Sequence, residues 1–181
     1  MENNINKIIW FSGLSGSGKS TLANILIKKL RKKKFSYKLL DGDQFRKNKN
    51  YKNSFTKKNI IKNNLLIIKK IKKMIKIYNF VIVSVISPLK VTRQKAKNEF
   101  GNNYIEVYVY CILRKLVKRD TKGLYKLAKK KKINNLIGYN SKIKYEKTYY
   151  KKIIVNTGTQ NIRQSTNKIL KDLSLKFDVK I

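Results

Sequence analysis

The run Gly13-Leu14-Ser15-Gly16-Ser17-Gly18-Lys19-Ser20 meets the pattern G-x-x-x-x-G-K-[ST] at every fixed position, and its neighbours decide what it means. Before it, Lys7 to Phe11 is a short apolar run with strand character. After it, Leu22, Ala23, Leu26, Ile27 and Leu30 recur at helical spacing. Strand, glycine-rich turn and helix in that order are the setting in which such a turn cradles phosphate. Glycines admit positive φ, so consecutive N–H groups turn inward at the start of the helix. A lysine at the seventh position reaches the outer phosphates, and the hydroxyl after it is placed to ligate Mg²⁺. A bare helix cap would satisfy the pattern but not the context. Residues from Gly13 through Thr21 are therefore read as an ATP or GTP site, with Lys19 catalytic and Ser20 a metal ligand.

The rest of the chain repeats the alternation. Tyr37 to Leu40 reads as a second strand ended by Asp41-Gly42-Asp43, and the Lys- and Asn-rich stretch from Lys47 to Ser54 as a loop. Ile61, Leu65, Ile68, Ile71, Ile75 and Tyr78 mark one face of a long helix from Lys57 to Tyr78. Phe80 to Ile86 is apolar on both alternating faces, as a central parallel strand covered on each side requires, and Pro88 closes it. Tyr104 to Tyr110 reads as a fourth strand and Ile153 to Val155 as a fifth. Lys122 to Lys132 is a basic helical or lid-like stretch, and Ile162 to Leu175 a final helix. These elements predict a single α/β domain over 1–181, of the P-loop NTPase fold. It has a central parallel five-stranded sheet, helices on both faces and a basic lid at about 119–145.

Composition narrows the chemistry. The formal net charge is +36, yet the lysines are spread through every segment beside abundant Asn and Ile, a trio favoured by AT-rich codons. Charge marks a nucleic-acid footprint when it is clustered on one face, so no nucleic-acid partner is expected. A positive field still steers anionic substrates toward the site. Cys111 is the only cysteine and sits in an apolar run, which predicts a buried inert thiol and a reducing compartment. No apolar run approaches bilayer length and no secretory signal opens the chain, so a cytoplasmic protein without a membrane partner is expected.

With no histidine in 181 residues, imidazole-dependent mechanisms are excluded, and general-base work falls to nine acidic residues. Glu2, Asp172 and Asp178 lie toward the termini and read as surface groups. Asp41 and Asp43 follow a strand directly, and ligands of open α/β sheets bind beyond the carboxyl ends of the strands. Asp43 is the candidate to accept the proton of an acceptor hydroxyl and to help hold Mg²⁺ through water. Asp41 is a candidate on the acceptor side.

Five blocks together resemble one family. They run from Trp10 to Thr21, Leu40 to Arg46, Val85 to Pro88, Tyr104 to Val109 and Arg119 to Tyr125, in family order from Ile8 to about Thr157. The family is that of the adenylylsulfate kinases. The resemblance implies MgATP as phosphoryl donor, adenylyl sulfate as a small nucleotide acceptor phosphorylated at its ribose 3′-hydroxyl, and a homodimer. It puts Asp43 on the catalytic aspartate. Arg46, Phe55 and Asn63 fall on residues that grip and stack the acceptor, with Ile86 and Leu136 beside them. Ser87 falls on a serine that the family describes as a phosphoserine intermediate. Direct in-line transfer needs no covalent step, so hydrogen bonding to the acceptor is the role expected of Ser87. Arg119 and Lys122 belong to the lid, Arg119 facing ATP.

Three positions depart from the family pattern: Ile60 and Leu65 stand where it has arginines, and Leu136 where it has an aromatic that sandwiches adenine. Lys58 and Lys62 supply charge nearby, but an ammonium does not reproduce a bidentate guanidinium. Two further readings stay open on the sequence. One is a 3′-kinase of another modified nucleotide, such as cytidine diphosphoramidate. The other is a basic P-loop protein that binds nucleic acid.

Overall fold

A computed structural model describes residues 5–42, 56–179 and 181. Five strands, β1 (Lys7–Ser12), β2 (Tyr37–Asp41), β3 (Phe80–Ser84), β4 (Tyr104–Tyr110) and β5 (Ile153–Asn156), form one sheet in the order β2-β3-β1-β4-β5. Every pairing is parallel. The strand carrying the glycine-rich turn is therefore the middle one, with Ile9 level with Ile82 on one side and Ile105 on the other.

Parallel strands need crossovers, and the helices supply them. Helices α1 (Lys19–Lys32) and α6 (Ile162–Phe177) lie on one face, α2 (Lys57–Met74) and α3 (Lys90–Phe100) on the other. Alternation along β1 sorts the layers, because successive side chains point to opposite faces. Ile9 and Phe11 join Leu22, Leu26, Leu30 and Leu173, whereas Ile8 and Trp10 join Ile67, Ile68, Ile71 and Ala96. Each fully buried Ile, Leu or Phe stabilises the fold by about 1.5–3 kcal/mol relative to exposure. Trp10 is fully buried, with its ring 6.2 Å from that of Tyr104.

The ends are set locally. Thr56 caps α2 by accepting from the Asn59 N–H, and Asn161 with Gln164 forms a reciprocal capping box on α6. The helix expected from Lys57 to Tyr78 stops at Met74, and the strand expected from Phe80 to Ile86 stops pairing at Ser84. The strand's last residues instead run under the glycine-rich turn, where the Ile86 carbonyl accepts from the Gly13 N–H at 3.2 Å. A short helix, α4 (Leu113–Arg119), precedes the basic stretch from Lys122 to Lys132, which holds a second short helix, α5 (Leu124–Lys129), followed by irregular chain to β5. No helix among the described residues is long and apolar enough to cross a membrane.

Candidate active site

The glycine-rich turn closes on three left-handed glycines, Gly13, Gly16 and Gly18, with φ of 139°, 73° and 96°. At Gly13 the need is steric as well: a Cβ there would lie 2.3 Å from the Val109 carbonyl oxygen of β4. Gly18 caps α1 with no side-chain bond, and no acidic residue occupies the first turn of that helix. Its first N–H groups and positive dipole end thus face the turn without a counter-charge from α1. The Ser17 hydroxyl is buried within the turn without a hydrogen-bond partner. A cradle of this shape, with a buried hydroxyl and an unneutralised helix start, fits a polyphosphate.

Lys19 is buried to 8% exposure, and its ammonium donates to the Leu14 carbonyl at 2.7 Å, folded across the turn. The Ser20 hydroxyl donates to Asp41 Oδ2 at 3.1 Å and lies 3.1 Å from Ser84 Oγ. These oxygens come from the start of α1 and the carboxyl ends of β2 and β3. No group of three or more His, Cys, Asp or Glu exists among the described residues. The oxygens of Ser20, Asp41 and Ser84 fit a hard divalent ion that completes its shell with water and phosphate. The sequence placed Asp41 on the acceptor side, and the structure puts its carboxylate against Ser20.

Helices α4 and α5 contact the turn from the other side. Tyr125 donates to the Ser15 carbonyl at 2.9 Å, and burial, then the Asp120 charge, pushes its phenol up to about 12. Asp120 accepts from the Tyr125 and Lys126 N–H groups and so fixes the start of α5. Arg119, at the end of α4, donates to the carbonyl and hydroxyl of Thr157, and Thr157 donates in turn to the Ser17 carbonyl. Arg119 is thereby tied through Thr157 to the phosphate turn. Lys122 is exposed on the turn between α4 and α5.

On the far side of Leu14 the surroundings turn apolar. Ile60, Leu89 and Ile137 form one buried cluster with Leu14, Ile61, Ile86 and Ile143 against it. Leu136, at 1% exposure, belongs to a second with Cys111, Leu116, Tyr125 and Ala128, again touching Leu14. Gly138 passes so close that a Cβ would meet Leu14 Cδ1 at 2.7 Å. Asn63 is half-buried on α2, and Leu65 packs on the core between α2 and the sheet. Ser87 takes φ of 43°, and its hydroxyl is buried without a hydrogen-bond partner. Of the expected site residues, Asp43, Arg46 and Phe55 lie outside the described residues.

One cluster at the site escaped the sequence reading altogether. Glu106 of β4 is buried at 1% exposure and accepts from Ser12 at 2.6 Å, Tyr150 at 2.6 Å, Thr148 at 3.3 Å and Tyr145 at 3.4 Å. Arg93 of α3, with no exposed surface, brings Nε to 3.2 Å from Glu106 Oε1, off the hydrogen-bonding angle, as an ion pair. Burial and then the Glu106 charge push the phenols of Tyr145 and Tyr150 far above their usual value. The only signal in the sequence was an acidic residue inside an otherwise apolar strand.

Known proteins share both the sequence and the shape of this chain. The family model for adenylylsulphate kinase matches residues 5–156. The adenylyl-sulfate kinase of Clostridium kluyveri is 38% identical over 173 residues, covering 93% of this chain and 84% of that one. A probable adenylyl-sulfate kinase of Pyrococcus abyssi is 42% identical over 132 residues, covering 73% and 75%. Among solved structures, the Mycobacterium tuberculosis APS kinase CysC in complex with AMPPNP and APS superposes with a TM-score of 0.82 at 27% identity, covering 93% of this chain and 97% of that one. A gluconokinase from Sinorhizobium meliloti shares the fold at a TM-score of 0.62 and 14% identity. The phosphate turn marks the chain as a P-loop kinase, and a match running from the start of β1 to the end of β5 is more specific: the chain belongs to the adenylylsulphate kinase family.

Proposed function

We propose that this chain, acting as one domain in the cytoplasm, transfers the γ-phosphoryl group of MgATP to the ribose 3′-hydroxyl of adenylyl sulfate, releasing ADP and 3′-phosphoadenylyl sulfate. The observation that carries the reading is the convergence of Lys19, Ser20 and Asp41 on one phosphate cradle, in a chain whose relatives at 38% identity are adenylyl-sulfate kinases.

Phosphoryl transfer asks a protein mainly for position and for charge where negative charge spreads. Backbone N–H groups of residues 13–20 hold the triphosphate. Lys19 leaves the Leu14 carbonyl for the β- and γ-phosphates, and Arg119 covers them from the lid. Ser20 and Asp41 would hold Mg²⁺, which would neutralise the negative charge of the transferring group. Asp43, two positions beyond Asp41, accepts the proton of the attacking hydroxyl. Ser87 offers its buried hydroxyl to the acceptor, with Asn63, Arg46, Phe55, Ile86 and Leu136 shaping that side. Tyr125 and Arg119 tether the lid to the turn, so closing it excludes water from a group that would otherwise hydrolyse.

The apolar surroundings of Ile60 and Leu136 favour one second reading, a 3′-kinase of a different modified nucleotide. An acceptor panel separates the two: ADP release from MgATP is expected with adenylyl sulfate and not with cytidine diphosphate derivatives. The opposite preference would overturn the assignment of the acceptor.

A further inference from the structure

We propose that Arg93 is a positioning residue for phosphoryl transfer. Paired with Glu106, it pins the Ser87 turn and the root of the lid to the base of the phosphate loop. The inference rests on the proposed kinase reading and adds a residue to it.

Arg93 has no exposed surface, and each end of its guanidinium is committed. One terminal nitrogen donates to the Ser87 carbonyl and the other to the Glu146 carbonyl. Nε faces Glu106, and the guanidinium carbon lies 4.6 Å from the centroid of the Tyr145 ring. A planar fork with fixed donor directions is suited to two carbonyls set at an angle with a carboxylate beside its charge, which a lysine cannot match.

What the fork joins matters more than how firmly. Ser87 is a non-glycine residue at φ 43°, a conformation that persists only where its surroundings impose it. The bond from Arg93 to its carbonyl is one such restraint. The hydroxyl presented there is buried and without a hydrogen-bond partner, beside Ile86, whose carbonyl accepts from Gly13. Glu146 directly follows the expected lid segment. Its N–H donates to the Pro88 carbonyl at 2.8 Å, and its carboxylate accepts from the Lys90 N–H at 2.6 Å, so the lid root is stitched to the residues flanking Ser87.

Glu106 connects this assembly to the triphosphate side. It accepts from Ser12, the residue before Gly13, and Ser12 also accepts from Tyr145 at 2.7 Å. A shift of Arg93 is therefore felt at the Ser87 carbonyl and at the lid root. The phosphate turn keeps its own restraints: left-handed glycines, the Val109 contact and the Tyr125 bond. Acceptor engagement should suffer and triphosphate binding should not.

The test uses two variants, because removing one member of a buried ion pair leaves the other uncompensated and can prevent folding. Arg93→Lys keeps the charge and loses the fork. Arg93→Met with Glu106→Gln removes both charges together. Each is assayed well below its melting temperature for the Kd of a non-hydrolysable ATP analogue and for kcat and KM with adenylyl sulfate. The expected result for both is a fall in kcat/KM for the acceptor of about ten- to a hundredfold, with the analogue's Kd within about twofold of wild type. Acceptor kinetics within twofold of wild type in either folded variant would overturn the proposal. So would a parallel loss of analogue affinity, which marks general loosening rather than positioning. If neither variant folds, Tyr145→Phe with Ser12→Ala removes the link between the pin and the phosphate turn and is read the same way. A wild-type chain that binds the analogue but does not convert adenylyl sulfate would overturn the functional reading itself, a result distinct from all of these.

Discussion

Residues 13–20 and the cluster of Ile60, Leu89 and Ile137 meet across Leu14, yet the two regions are specified in different ways. The phosphate turn is held by backbone: three left-handed glycines, a helix start and a carbonyl 2.3 Å from where a Cβ at residue 13 would stand. The neighbouring wall is built mainly from side-chain volume, with its backbone constrained at Gly138 and Ser87. A wall of the first kind serves any triphosphate and resists change. A wall of the second kind can be rebuilt residue by residue, and so can follow the acceptor without disturbing the donor.

The strongest attempt to break this contrast is Lys19→Ala. Removing the charge that meets the γ-phosphate should lower kcat by about a hundred- to a thousandfold, measured by ADP release. Near-normal turnover would show that the cradle is not the donor site. Next comes Gly13→Ala, which forces a Cβ against the Val109 carbonyl at a φ that L-residues avoid. A loss of about 1–3 kcal/mol in urea unfolding is expected, together with weaker binding of an ATP analogue. Ile137→Val probes the other wall. It should cost about 0.5–1.5 kcal/mol and leave the analogue's Kd unchanged. A fall in triphosphate affinity there would erase the division between the walls.

The smallest effect belongs to Tyr125, which joins the lid to the turn. Its phenol rises from 10.0 to about 12 in the folded chain, through burial first and the Asp120 charge second. The folded state thus holds a proton that the unfolded state releases. The associated stability is complete below pH 10 and is lost as pH rises toward 12. Tyr125→Phe should make the alkaline decline in stability shallower over that window, seen in urea midpoints recorded at about pH 9 and 11. An unchanged decline would mean that the phenol is not what the lid contributes.

Much of this was legible in the sequence, and the gaps have physical causes. Strands β1 and β4 and the phosphate turn were readable because a period of two and a glycine spacing are local signals. Helix α3 was missed because its buried face is Thr92, Arg93 and Ala96, a pattern that no count of apolar residues detects. Helix α4 spans only Leu113–Arg119, too short for periodicity to register. The bounds of β3 were overrun because Val85 and Ile86 are as apolar as the strand, while their bonds go to the end of β1 and the phosphate turn: the Val85 N–H donates to the Phe11 carbonyl and the Ile86 carbonyl accepts from the Gly13 N–H. Within the site, Lys19, Ser20 and Arg119 were nominated from local blocks of sequence, and their side chains meet Leu14, Asp41 and Thr157. The Arg93–Glu106 pair was invisible because its partners come from three separate segments, and a buried charge network leaves no spacing to read. Asp41 was recognised as functional, but its contact with Ser20 depends on β2 lying two strands from β1, which only the sheet order reveals.

Trp10 is the chain's sole indole, wholly out of water on the strand that feeds the phosphate turn, three residues before Gly13. The chain therefore carries its own optical reporter. Its emission should be blue-shifted in the native state and move to longer wavelength on unfolding. Titrating nucleotide against that unlabelled signal would register any strain passed from the bound phosphates down β1 into the sheet.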